Sequence, residues 1–155
     1  MGNSYIAVNN QQVALNSPII FVPIVSNNCN GVYNNNGTGT YILRGNKNCN
    51  RCTTPATYQV TFSGNIALPE DAEDVVPIAV AIVVNGEEIP ASKAIYTPAA
   101  VDEYGNVTSP ATIQVPRDCC FTLSVEHTTA NPDPAITPAP VINVLNGTLS
   151  INRIA

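Results

Sequence analysis

A chain of 155 residues, 45% of them hydrophobic, is one domain by size and can bury roughly 70% of its unfolded surface. Its net charge is −5 and its six Lys and Arg are scattered singly, which leaves no basic stripe for a phosphate backbone and excludes nucleic acid as a partner. Only 11% of residues are charged against about 25% in ordinary globular chains, so Asn, Thr, Ser and Gln cover the surface, as is usual in extracellular, spore or virion structural proteins.

The opening MGNSYIAVNNQQVALN has no basic n-region and no continuous apolar stretch, so a classical signal peptide is not expected. Ile6 stands where a myristoylation motif needs Ser or Thr. Residues 1–12 are read as a polar N-terminal arm that reaches toward a neighbour, and residues 13–155 as the single domain. Val13 and Leu15 begin a strand that continues past Pro18 through Ile19 to Ile24. The apolar run Ile19–Val25 is too short for a membrane span and carries Pro23, so no membrane span is expected. The Asn- and Gly-rich stretch from Ser26 to Thr40 reads as a loop.

Tyr41–Leu43 is a short strand. Tyr58, Val60 and Phe62 alternate with Gln59, Thr61 and Ser63, which commits one face of a strand to the core. Pro69–Asp74 reads as a solvated acidic loop. Ala94–Tyr96, Thr112–Val115, Phe121–Val125, Val141–Leu145 and Leu149–Arg153 are further strands, with an irregular Thr97–Ser109 and a Pro-rich Ala130–Pro140 between them. Asn36-Gly37-Thr38, Asn106-Val107-Thr108 and Asn146-Gly147-Thr148 match the glycosylation sequon and read as turns.

Pro77–Pro90, PIAVAIVVNGEEIP, departs from simple alternation. Ile78 through Val84 offer apolar side chains to both faces, where a strand wet on one face alternates. One parity can face the domain's own core, and the other asks for a second layer or a second subunit. Ile78, Val80, Ile82, Val83 and Val84 are therefore candidates for core or subunit interface. Asn85-Gly86 supplies the pair of positive-φ residues that a type I′ hairpin requires.

With many short strands, frequent turn signals and no helical stripe, the chain reads as all-β. The two-sheet antiparallel jelly-roll sandwich fits this strand count and length. Its last strand is expected mid-sheet, so that removing Leu149–Ala155 destroys the fold.

Four motifs in order, YQVTFSGNIAL, IAVAIVVNGEEIPAS, TIQVPRDCCFTLSVEHTT and GTLSINRIA, resemble the C1q/TNF-like jelly roll. The likeness is to the bacterial branch typified by the BclA C-terminal-domain-like spore-surface proteins. The resemblance implies a homotrimer packed on apolar side chains, with a structural or adhesive role and no enzymatic one. It makes a threefold interface the expected cover for the second face of the Ile78–Val84 strand, with Ile82→Asp or Val83→Asp expected to abolish trimerisation or folding. The collagen-like Gly-x-x stalk of such glycoproteins has no counterpart here, which suggests a free-standing module.

Cys29, Cys49, Cys52, Cys119 and Cys120 are numerous for so inert a chain. Cys49 and Cys52 have metal-knuckle or redox spacing, but neighbouring Cys119 and Cys120 point to opposite faces of a strand and suit a tetrahedral metal poorly. Buried or idle thiols, and disulfides within or between subunits, both stay open; the odd count leaves one thiol for another molecule. Strand parity sends Cys119 inward with Phe121, Leu123 and Val125, and Cys120 outward. His127 is the only histidine and is expected at the surface or an interface. One histidine cannot build a jelly-roll metal centre, so no catalytic residue, metal or cofactor is expected.

The leading expectation is thus a trimeric structural protein of a bacterial spore surface layer or appendage, with higher assembly from copies of itself. A phage decoration or head-fibre protein, located in the virion, is the alternative. A glycan- or receptor-binding module, with Tyr33, Tyr41, Tyr96 and Tyr104 on a loop-end surface, is the reading from another class.

Overall fold

A computed structural model describes residues 2–7, 11–25, 32–35, 38–46, 55–130, 133 and 135–154. Among these residues twelve strands are present: β1 (Gly2–Ala7), β2 (Gln11–Ala14), β3 (Phe21–Val25), β4 (Val32–Asn35), β5 (Thr40–Arg44), β6 (Ala56–Ala67), β7 (Ile78–Val84), β8 (Glu87–Glu88), β9 (Ala94–Tyr96), β10 (Gly105–Val115), β11 (Cys120–Thr128) and β12 (Val141–Arg153). They form two antiparallel sheets. Sheet 1 runs β10-β6-β12-β1-β3, with β2 beside the first part of β12 and β1 beside the last. Sheet 2 runs β4-β5-β11-β7, with β8 and β9 sharing the far side of β7. This is the all-β, two-sheet jelly roll that the strand pattern predicts.

The core lies between the sheets, filled by the inward parity of each strand. Tyr58, Val60 and Phe62 of β6 have no exposed surface, and neither do Leu123 and Val125 of β11. Four aromatic rings join the layers near β1. Tyr5 lies 4.7 Å from Tyr41 of the opposite sheet, and Phe21 packs tilted on Tyr41 and edge-on to Phe62, at 6.4 and 5.9 Å. Edge and tilted contacts place the positive ring rim against a negative face, which adds to the gain from burial.

Strand β12 is central in sheet 1, as the terminal strand is expected to be, but Asn146-Gly147-Thr148 is a bulge and not a turn. Three steps along β12, from Leu145 to Thr148, face two along β6, from Asn65 to Ser63, with Asn146 at φ 54°. The extra residue switches parity, so that Ile142 and Val144 before it and Leu149 and Ile151 after it all point inward. Strand β10 begins at Gly105, within the segment expected to be irregular. Its Pro110 is tolerated because β10 is an edge strand, and Asn106 of the second sequon lies in it. Strand β4 falls in the segment expected to be a loop.

The expected N-terminal arm is corrected by β1, which pairs residue by residue with β12 of its own chain. Its alternation is visible afterwards: Tyr5 and Ala7 are buried while Ile6 is exposed. The chain then crosses between sheets. Asn16 N–H donates to His127 O (2.7 Å) and Ile19 N–H to Val125 O (2.8 Å), so residues 16–19 occupy the side of β11 that β5 leaves open. On the opposite side the Ser109 hydroxyl of β10 donates to Ser92 O, in the 3-10 turn Pro90–Ser92. Both flanks of the sandwich are thereby closed by hydrogen bonds, which protects otherwise bare strand edges.

Candidate assembly surfaces

Strand β7 is dry on both faces within one chain. Ile78, Val80 and Ile82 belong to the core, and Val84 packs against it from a half-buried position. On the other parity Ala79 and Ala81 have no exposed surface and Val83 has 6%. The threefold interface expected to cover this face is not what buries it. Lys93, just before β9, extends to Thr129 just after β11, with Nζ 2.7 Å from the Thr129 carbonyl oxygen. Since β7 lies between β9 and β11, the lysine side chain crosses it, and the small methyls of Ala79 and Ala81 leave room for an aliphatic stem. Glu88 holds the ammonium group at 2.8 Å. Glu126, paired opposite Ala81, has its carboxyl pKa raised by burial and also by the Glu88 charge, while a Ser124 hydrogen bond opposes the rise. The hairpin beyond β7 turns on Asn85 and Gly86 at φ 53° and 81°, as predicted, and Asn85 Oδ1 accepts the Thr122 N–H at 2.9 Å.

The outer face of sheet 1 has a different character. Among the described residues, Arg153 is the only Lys, Arg, Asp or Glu that falls within a strand of this sheet. Its guanidinium is held by Asn46 Oδ1 at the strand's end. Strand β6 presents Thr57, Gln59, Thr61, Ser63 and Asn65 outward, and β10 presents Asn106, Thr108, Thr112 and Gln114. Strand β12 adds Thr148, Ser150 and Asn152. Toward β3 the face turns apolar: Ile6 and Val22 are cross-strand partners, 40% and 43% exposed, and Ile20 is exposed beside them. The result is a broad neutral sheet of hydroxyls and amides with an apolar margin. Composition foretells a surface of this kind, but only the pairing shows that it is concentrated on one face.

Cys119 is half-buried against the core and Cys120 is exposed, as parity predicts; both are free thiols. Cys29, Cys49 and Cys52 lie outside the described residues. No group of three or more His, Cys, Asp or Glu able to hold a metal occurs among the described residues.

His127 is buried within the chain, with 1% exposure, and not at the surface or an interface, the two positions expected for it. Its Nδ1 lies 3.1 Å from Val13 O. Desolvation lowers its pKa from 6.5, against smaller backbone contributions from Val13 and Ala14. It follows the inward parity of Leu123 and Val125, a signal available in the sequence.

The three tyrosines whose side chains are described do not form a binding platform. Tyr41 is in the core, Tyr96 is half-buried with its hydroxyl on Glu103 O (3.3 Å), and Tyr104 is exposed. The side chain of Tyr33 lies outside the described residues. Among the described residues no helix is long and apolar enough to cross a membrane.

No protein-family model matches the chain, and no curated protein matches it. Solved structures do. The chain is similar to the globular domain of zebrafish complement 1qA protein, with TM-score 0.63 and 10% identity over 99% of this chain and 97% of that one. It is similar to Eiger TNF from S. frugiperda, with TM-score 0.66 and 10% identity over 100% and 92%. Murine APRIL at pH 8.5 gives TM-score 0.56 and 8% identity over 99% and 100%. These likenesses show the fold, a C1q/TNF-like jelly roll.

Proposed function

We propose that this C1q/TNF-like jelly roll is a non-enzymatic structural module that assembles as a homotrimer through the outer face of sheet 1. The observation that carries the reading is the segregation of charge away from that face. Burying a charged side chain at an interface costs several kcal/mol unless it finds a well-placed partner, and interface cores are depleted in charge. A face of Thr, Ser, Asn and Gln can exchange water for the same groups on a neighbouring copy, and Ile6, Val22 and Ile20 add apolar contact. Threefold closure rests on the resemblance of the four strand motifs to C1q/TNF-like chains. The sole histidine, buried against Val13 O, is not placed to act as a surface base, which supports a structural role. Light scattering of the purified chain tests the assembly; a stable monomer refutes it.

The place of this module is a bacterial spore surface layer or appendage, with a virion as the alternative. The BclA-like order of the motifs supports the first, as does a surface poor in charge with an exposed thiol at Cys120 for cross-linking. Immunogold labelling of spores and of phage particles separates the two, and labelling of neither refutes both.

A further inference from the structure

We infer that copies of this chain also dock end to end, with Ile154 of one copy entering an acid-rimmed apolar cleft at the opposite end of the next. The two ends of the sandwich are chemically complementary. Strand β6 has 12 residues, so its ends are about 36 Å apart. Where it finishes, a cleft of about 460 Å³ opens between residues 68–76 and 137–141. Leu68, Val76, Ala139 and Val141 give it apolar walls, and Asp71, Glu73 and Asp74 stand in its lining. Neither of the two ion pairs among the described residues, Lys93–Glu88 and Arg117–Asp118, involves these carboxylates. The cleft therefore has an apolar interior and a negative rim with no ion-pair partner among the described residues.

The other end of β6 has the matching features. Ile154 is 58% exposed, the most exposed of the large apolar side chains among the described residues, and its N–H is fixed to Thr57 O at 2.9 Å. Arg153 precedes it, and Arg117 in the β10–β11 turn and Arg44 at the end of β5 belong to segments that finish at this same end of the sandwich. Asp118 is the only acid among the described residues of this end, 3.5 Å from the Arg117 guanidinium, with both groups exposed. An apolar knob flanked by cations at one end and an apolar hole rimmed by anions at the other make a heterologous contact, which extends instead of closing. A second copy is favoured over a foreign cationic partner because the chain itself carries the complement. Lateral packing through the neutral face of sheet 1 and docking through the ends use different surfaces, so either can fail alone.

The test uses sedimentation of the full chain at low and high salt. At low salt the wild type is expected to form species that grow with concentration beyond the lateral unit, whatever that unit is, and high salt should return it to that unit by screening the rim. Ile154→Asp, and separately Asp71→Lys with Asp74→Lys, change exposed side chains only. Each is expected to raise the concentration needed for extension by about tenfold or more. Mixed, the two variants retain one intact cleft and one intact knob, and should form a capped pair of units that extends no further. Growth that is unaffected by either variant, absence of growth in the wild type, or a mixture that forms no pair overturns the inference. Binding of hexalysine to a wild type that does not extend would assign the cleft to a foreign cation and also overturn it.

Discussion

Lys93 Nζ lies 2.7 Å from the carbonyl oxygen of Thr129, 36 residues further along the chain, and in reaching it the side chain straps β7 between its two neighbours. The ammonium is partly buried, with side-chain exposure of 25% for Lys93 and 29% for Glu88. Lys93→Ala removes a charge-assisted hydrogen bond and the ion pair with Glu88, and is expected to cost about 1–3 kcal/mol in urea unfolding. Glu88→Gln keeps the strap and should cost less, about 1 kcal/mol or under.

The two faces of β7 predict unequal responses. Ile82 has no exposed surface and sits in the core, so Ile82→Ala should cost about 2–5 kcal/mol. Val83, on the other face between Glu88 and Ser124, should lose about 1–2 kcal/mol on truncation to Ala. Neither change is expected to alter the oligomeric mass of the folded fraction, which separates this strand from the assembly surface.

The bulge in β12 depends on two glycines in contact. A Cβ on Gly64 would stand 2.8 Å from the Gly147 Cα, and one on Gly147 would stand 3.0 Å from the Ala7 Cβ. Backbone yields less readily than a methyl group. Gly64→Ala is therefore expected to destabilise by about 3 kcal/mol and Gly147→Ala by about 1–2, read as a drop in melting temperature.

His127 predicts an acid-sensitive fold. Its native pKa is lowered below 6.5, so in the window beneath 6.5 the unfolded chain binds a proton that the folded chain does not. Stability then falls as pH drops through that window and is complete above it. Glu126 acts with opposite sign, since a carboxyl pKa raised above 4.5 makes protonation on acidification favour the native state. The His127 slope is thus read between about pH 7 and pH 6, in urea titrations of the wild type against His127→Gln, which should flatten it.

Much of the architecture was legible in the pattern of residues. Alternation in Tyr58–Ser63, the Asn85-Gly86 turn and the inward parity of Cys119 each reflect a local rule that the fold obeys. What was hidden depends on pairing between distant segments. Gly2–Ala7 looks like a polar arm until β12 is beside it, and Asn146-Gly147 looks like a turn until β6 runs past both sides of it. Pro110 signals a break, yet an edge strand accepts it. The apolar second face of β7 called for a second layer or a partner subunit, but it is buried within one chain, where Lys93 reaches across to Thr129 and Glu126 and Thr128 stand opposite Ala81 and Ala79. The neutral face of sheet 1 was present only as a shortage of charge in the composition.

Multi-angle light scattering of the wild type and of a Gln59→Glu, Thr61→Lys double variant tests the proposed trimer most directly, in high salt so that contacts between the ends are suppressed. Both substitutions fall on the outer face of the central part of sheet 1 and leave the core untouched. The wild type should have three times the chain mass of 16.3 kDa, and the variant should be a folded monomer. A monomeric wild type, or a variant that remains fully trimeric, would contradict assembly through this face.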